Sequence, residues 1–279
     1  MQKSRHPLNR PSLYSASPVV FDIDDADFAD AAMAPSVEQC CRESVSVVAG
    51  SSYVAEWCRQ FNSNVNVVWT GSNDRPRGSV VPAGSRRRIV GWAHSSPAGY
   101  PLERTFLCSV IRELRRRSVE FEFWMWGVER EAEITDLTSV LRELRVPSRC
   151  FRRMPYSEFV TSLTDLAVGL QPVCLQNAFS RGKSFGKVLA YFVAGVPVVA
   201  SNNVDHPYVI ANGRSGMLAD SVEEWADAIS HLLDNPEART AMAEAGLETY
   251  NSNLTTAAVA RKLDPILRAS MRPRRATPG

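Results

Sequence analysis

Between Arg88 and Tyr250, short apolar runs alternate with amphipathic stretches without interruption. The apolar runs are Arg88-Ile89-Val90-Gly91-Trp92, Val119 to Trp126, Cys150-Phe151, Leu166-Ala167-Val168-Gly169-Leu170, Val196-Pro197-Val198-Val199-Ala200 and Gly216-Met217-Leu218. Continuous runs of this length read as strands buried on both faces, as in a parallel sheet, rather than as half-exposed alternating strands. The segments between them carry helical periodicity: Leu102 to Arg116, Ile134 to Leu144, Tyr156 to Leu163, Gly182 to Gly195, Val222 to Leu233 and Pro236 to Tyr250. A parallel strand needs a crossover before the next, so this order predicts a doubly wound α/β domain over residues 87–252.

A shorter α/β series precedes it. Val19-Val20-Phe21 and Val45-Ser46-Val47-Val48 read as strands around a helix ending near Cys41. Gly50-Ser51-Ser52 caps a helix bearing Val54, Trp57, Cys58 and Phe61, and Val65-Asn66-Val67-Val68 is a third strand. This places a partial unit at 18–70 and a Gly-, Pro- and Ser-rich linker at 71–86. Residues 1–17 are expected to be a mobile leader, and 253–279 a C-terminal helix with a basic tail. Strands near Phe21 and Val47 with so few neighbours are expected to expose an edge or an apolar face.

With 44% hydrophobic residues and a net charge of +2, the chain reads as an ordinary globular protein rather than a disordered one. No apolar run reaches the roughly 20 residues of a bilayer span, and the first residues lack the core of a signal peptide, so the expected compartment is the cytoplasm. The six cysteines lack metal-ligand spacing and read as reduced. Arginines cluster at 86–88, 115–117, 152–153 and in the tail at Arg272, Arg274 and Arg275. Without interleaved aromatics these read as solvated faces, not as a nucleic-acid surface; the tail suggests peripheral contact with an anionic membrane.

The segment from Ser180 to Ser201 carries the chemistry. Phe185, Val188, Leu189, Phe192 and Val193 make one apolar stripe on a helix expected to begin near Gly182. Lys183 and Lys187 then share the opposite face, and with Arg181 and Ser184 form the cationic, amide-rich terminus that suits a phosphate. Solvated surface lysines would give the same spacing. His94, after the first strand of the large domain, stands where open parallel sheets bind ligands. Asp205 and His206, in the loop after Ser201, are further candidates for a ligand contact. Asp22, Asp24 and Asp25 raise a metal reading, but aspartates at a strand end more often cap a helix, and no metal or other cofactor is expected.

The chain resembles the GT-B glycosyltransferases of the "glycosyl transferases group 1" type. The resemblance runs through Ile89-Val90-Gly91-Trp92, Tyr156-Ser157-Glu158-Phe159, Thr164 to Pro172, Gly182 to Lys187, Ala194 to Ala200 and Val209 to Leu218, then Glu224-Trp225 and the helices after it, covering most of residues 87–252. It implies a GT-B-like α/β fold: a complete C-terminal Rossmann-like domain that grips a nucleotide-sugar donor, and a partial N-terminal unit resembling the family's acceptor side. It also implies transfer to an acceptor hydroxyl with retention of configuration, the acceptor being a sugar or a lipid-linked group. Two departures stand out. Where the family often holds a ribose-binding glutamate the chain has Ala190, and fewer than 90 residues stand before Arg87, against roughly 150 for a Rossmann half. They motivate the alternative of a non-catalytic nucleotide-sugar-binding or partner-dependent subunit.

Overall fold

The computed structural model describes residues 10–14, 17–183 and 185–271. Along the chain run β1 (Val20–Ile23), α1 (Ala34–Glu43), β2 (Ser46–Ala49), α2 (Ser52–Cys58) and β3 (Val65–Val67). There follow β4 (Ile89–Ala93), α3 (Pro101–Arg116), β5 (Glu122–Trp126), α4 (Thr135–Glu143), β6 (Ser148–Phe151), α5 (Tyr156–Ser162) and β7 (Val168–Gln171). The rest comprises α6 (Ala178–Arg181), α7 (Gly186–Val193), β8 (Val198–Ser201), α8 (His206–Val209), β9 (Met217–Ala219), α9 (Val222–Asp234), α10 (Pro236–Asn253) and α11 (Thr256–Ser270). Caps set several boundaries: Ser51 Oγ accepts from Val54 N, and Ser221 with Glu224 forms a capping box at the start of α9.

The chain divides into two compact units, the first comprising Met1–Ser72, Leu175–Ser184 and Asn253–Gly279, the second Asn73–Cys174 and Phe185–Ser252. In the first, β1, β2 and β3 form a parallel three-stranded sheet in that order. Phe21 and Val47 are fully buried in a core with Val37, Cys41, Val54 and Cys58. The expected exposed apolar face is therefore absent at these two residues, because the cores of α1 and α2 pack with the sheet.

In the second unit six parallel strands take the order β6-β5-β4-β7-β8-β9, the doubly wound arrangement in which strand order reverses between β4 and β7. Burial follows the pattern read from the sequence: β4, β7 and β8 are buried along their whole length. Helices α3, α4 and α9 contribute Leu107, Ile111, Leu137, Leu141, Trp225 and Ile229 to a core with Trp92, Phe123 and Leu170.

Three expectations are corrected. The helix expected from Gly182 to Gly195 is shorter: α7 begins at Gly186, and Lys183 precedes it, between α6 and α7. Glycine is a poor helix former, and Gly182 packs so closely on Ala26 within the first unit that a Cβ would meet it. Lys183 and Lys187 therefore do not share a helical face. Arg86 is not a solvated charge; it is buried and donates to the carbonyls of Val81, Leu166, Ala194 and Gly195. The expected leader contains a 3-10 turn, Pro11–Tyr14, in which Ser12 N donates to Glu43. The basic tail with Arg272, Arg274 and Arg275 lies outside the described residues.

One aromatic side chain joins the two halves of the large sheet. Tyr191 of α7 is fully buried; its hydroxyl accepts from Ala93 N at 2.9 Å and faces the carbonyl oxygens of Leu170 and Gly91 at 3.1 and 3.2 Å. The ring lies on Gly169, where a Cβ would come within 2.5 Å of Tyr191 Cδ1. Tyr191→Phe should cost about 1–3 kcal/mol, because it leaves the buried Ala93 N–H unsatisfied. Gly169→Val should cost at least as much through overpacking. Denaturant midpoints of the full chain measure both.

Candidate functional site

At the carboxyl ends of β4, β5 and β6 lies a cleft of about 420 Å3. Its walls come from the loops that leave those strands: His94 and Ser95 after β4, Trp126 and Gly127 at the end of β5, and Arg152, Arg153 and Met154 after β6. Tyr156 and Phe159 of α5 and Lys187 of α7 complete it.

Backbone geometry fixes the floor. Gly127 has φ +82°, and a Cβ there would run into the His94 carbonyl oxygen, so only glycine lets β5 turn this close to the loop after β4. His94 Nδ1 accepts from Ser96 N at 3.1 Å, which leaves Nε2 to carry the proton of the neutral ring. The ring packs on Tyr100 with centroids 3.9 Å apart. Trp126 stacks on Phe151 at 4.8 Å and donates its indole N–H to Ser162 Oγ at 2.8 Å, tying β5, β6 and α5 together.

Charge in the cleft is positive. Arg153 Nε donates to Ser95 O at 2.8 Å and lies 3.8 Å from Glu129, so one of the two arginines is anchored. Arg152 is exposed and forms no ion pair with any described residue. Lys187 Nζ sits 5.2 Å from the centre of the Phe159 ring, on a half-buried stem that keeps its ammonium at the cleft. A site with three cations, an imidazole N–H and one exposed aromatic ring, Tyr156, suits an anion carrying a flat group.

The structure sorts the sequence candidates. His94 and Lys187 meet in the cleft. Arg181 and Lys183 belong to the first unit, where Arg181 Nε donates to Leu175 O; Ser184 lies outside the described residues. Asp205 and His206 are buried and line no part of the cleft. Ala190 is also fully buried, and Lys187 is the α7 residue that reaches the wall. Arg152 and Arg153, read from sequence as solvated charges, line it instead. The available signal was their place at the end of a strand and just ahead of Pro155 and a helix, where the loop must turn over the sheet. Asp24 Oδ1 accepts from the Thr70 hydroxyl, and among the described residues no group of three His, Cys, Asp or Glu side chains gathers. All six cysteines are free thiols. No helix among the described residues is long and apolar enough to cross a membrane.

Comparison with known proteins bears on this site. The sequence profile of the family described as Glycosyl transferases group 1 matches residues 103–235, a span that contains Arg152, Arg153 and Lys187. Over that span the chain is similar to this family. Across 90 residues it is 37% identical to a D-inositol 3-phosphate glycosyltransferase of Corynebacterium diphtheriae, a stretch covering 31% of this chain and 21% of that protein. A GDP-mannose-dependent alpha-(1-6)-phosphatidylinositol monomannoside mannosyltransferase of Mycobacterium tuberculosis is 35% identical over 77 residues, 27% of this chain and 20% of that one. The matched stretches thus span about a fifth of these curated relatives. Among solved structures, Anabaena HepE in complex with UDP and glucose superposes with a TM-score of 0.70 at 14% identity, covering 92% of this chain and 73% of that one. Sucrose-phosphate synthase of Thermosynechococcus elongatus gives 0.69 at 12%, covering 90% and 67%. The chain thus has the α/β GT-B fold.

His206 makes a test of the folded site's surroundings. Its Nδ1 lies 2.8 Å from Ser201 O, which can only accept, so Nδ1 carries the proton. Burial pushes the ring's pKa down from 6.5 to about 4, against smaller upward pulls from Ser201 and Asp205. The unfolded chain therefore binds this proton more readily. Stability should be full above pH 6.5 and fall as the pH drops toward 4, by roughly 3 kcal/mol from this group. Unfolding free energies of wild type and His206→Asn across pH 4–7.5 should diverge in slope within that window; parallel curves would count against it.

Proposed function

We propose that the cleft at the carboxyl ends of β4, β5 and β6 binds the diphosphate of a nucleotide-sugar, and that the chain serves transfer of the glycosyl group to an acceptor hydroxyl. The observation that carries this reading is the convergence of Arg152, Arg153, Lys187 and His94 on one cleft beside the reversal of strand order. In such a transfer, negative charge grows on the departing diphosphate as the bond to the anomeric carbon breaks. Cations already held in place stabilise that charge without reorganising. Anchored Arg153 and stem-packed Lys187 meet that condition, while exposed Arg152 is free to close on the bound anion. The Tyr156 ring offers a face for the nucleobase.

Support for the donor class comes from the family of the matched segment and from relatives whose names specify glycosyl transfer. Retention of configuration, a sugar or lipid-linked acceptor, action at the cytoplasmic face of a membrane and independence from a metal belong to the same reading. A second reading, a binding subunit without turnover, is favoured by one observation: Ala190 brings no carboxylate to α7. Release of nucleoside diphosphate from a nucleotide-sugar by the full chain separates the two.

Charge-assisted phosphate contacts contribute roughly 1.5–3 kcal/mol each. Lys187→Ala and Arg152→Ala should therefore weaken binding of UDP or GDP by about ten- to a hundred-fold, with weaker dependence on salt than the wild type shows. Lys183→Ala should change it little. Calorimetric titration checks all three; wild-type affinity in the first two variants would remove the diphosphate from this cleft.

A further inference from the structure

Two buried amide oxygens, Gln171 Oε1 and Asn203 Oδ1, have no hydrogen-bond partner among the described residues. Native structures leave few such atoms, because each forfeits its bond to water and gains nothing in return. Both lie at the carboxyl ends of adjacent parallel strands. Gln171 is the last residue of β7, the strand that borders β4 at the reversal of strand order, and is 7% exposed. Asn203 stands two residues beyond the end of β8.

The surroundings hold these amides in place. Val173 N donates to Ser201 Oγ at 2.9 Å, and Asn203 Nδ2 donates to Val173 O at 3.0 Å. Since Val173 O only accepts, the Asn203 amide cannot be flipped, and its unpartnered atom is the oxygen. Cys174 N donates to Glu103 Oε1 at 3.1 Å on the other side of this segment. Beyond Asn203, Val204 has φ +47°, a left-handed conformation that a β-branched residue adopts only under constraint. Beneath it, His206 holds the Ser201 carbonyl.

We infer that Gln171 and Asn203 read the hydroxyl groups of the glycosyl moiety, across the β4–β7 reversal from the cationic cleft. This rests on the nucleotide-sugar reading above and extends it to the sugar. An amide oxygen accepts and does not donate, so its partner carries an O–H or N–H and is not an anion. The cationic cleft takes the opposite kind of group. A ligand with a diphosphate at one end and a polyol at the other matches both. Asn203 is partly exposed, and Gln171 is 7% exposed at the end of the neighbouring strand. Building acceptors to pair with ligand hydroxyls, at the expense of the unliganded fold, is how a site rejects analogues that lack those hydroxyls.

The test uses the full chain and its Gln171→Met and Asn203→Ala variants, titrated with UDP, GDP, UDP-glucose and GDP-mannose. The Met variant keeps the volume and removes the orphaned oxygen, so its Tm should equal or exceed that of the wild type. Both variants should bind UDP and GDP within about twofold of wild type, and lose about tenfold or more toward the nucleotide-sugar that the wild type prefers. An unchanged ratio of nucleotide-sugar to nucleoside-diphosphate affinity overturns the inference while the diphosphate site stands. An unchanged ratio with a lowered Tm in the Met variant also overturns it, assigning the oxygen to an internal water. A wild type that binds none of the four ligands overturns the nucleotide-sugar reading and this inference with it.

Discussion

The second unit depends on how the Tyr191 hydroxyl closes the seam between β4 and β7. The two strands pair through Val90↔Val168, Gly91↔Gly169 and Trp92↔Leu170. Beyond Trp92 the chain after β4 turns toward β5, and the chain after β7 turns toward β8. The next ladder donor, Ala93 N–H, would be orphaned there, and the phenol takes its place. Burial pushes the Tyr191 pKa up, so it remains a neutral donor and acceptor at any ordinary pH. The ends of β4 and β7 thus lie on either side of the reversal in strand order.

Positive charge is used in two ways in this unit. Arg86 and Arg239 are buried among backbone carbonyls, Arg86 with those of Val81, Leu166, Ala194 and Gly195, Arg239 with those of Ala83, Gly84, Leu232 and Leu233. They brace the ends of α7 and α9, where carbonyls otherwise lack partners and the helix dipole favours a cation. Burial lowers the Arg86 pKa to about 10, which leaves it charged at neutral pH. Arg152, Arg153 and Lys187 sit at the opposite, carboxyl end of the strands, where their charge faces solvent and is available to a ligand. The same residue type is structural below the sheet and available for binding above it.

α7 links these roles. It carries Tyr191 into the seam, presents Lys187 to the cleft, and ends on the carbonyls that Arg86 holds. Every residue from Val188 to Val193 is buried, so the helix has little freedom to rotate. A carboxylate at Ala190 would enter that packed interior. The absence of one there is consistent with a helix committed to holding the sheet seam together.

The alternation of parallel strands with helices, the apolar load of β4, β7 and β8, and the placing of His94 at a strand's carboxyl end were legible in the sequence, because burial on both faces leaves unbroken apolar runs and parallel strands demand crossovers; the order of the strands in the sheet was not. Lys187 was legible too, as a charge ahead of the apolar run, although the stripe from Phe185 to Val193 does not turn the rest of that helix outward, since Ala190 and Tyr191 are also buried. The company it keeps was not. Periodicity extended the helix back over Lys183, whereas α7 begins only at Gly186 and Gly182 packs on Ala26. Arg86 and Arg152 occur in runs that look alike in sequence, and only their places at opposite ends of the strands made one a buried brace and the other a wall of the cleft. Local residue pattern determined which segments become strands and helices; which charges meet was decided by tertiary structure, because it depends on contacts between segments far apart in the chain.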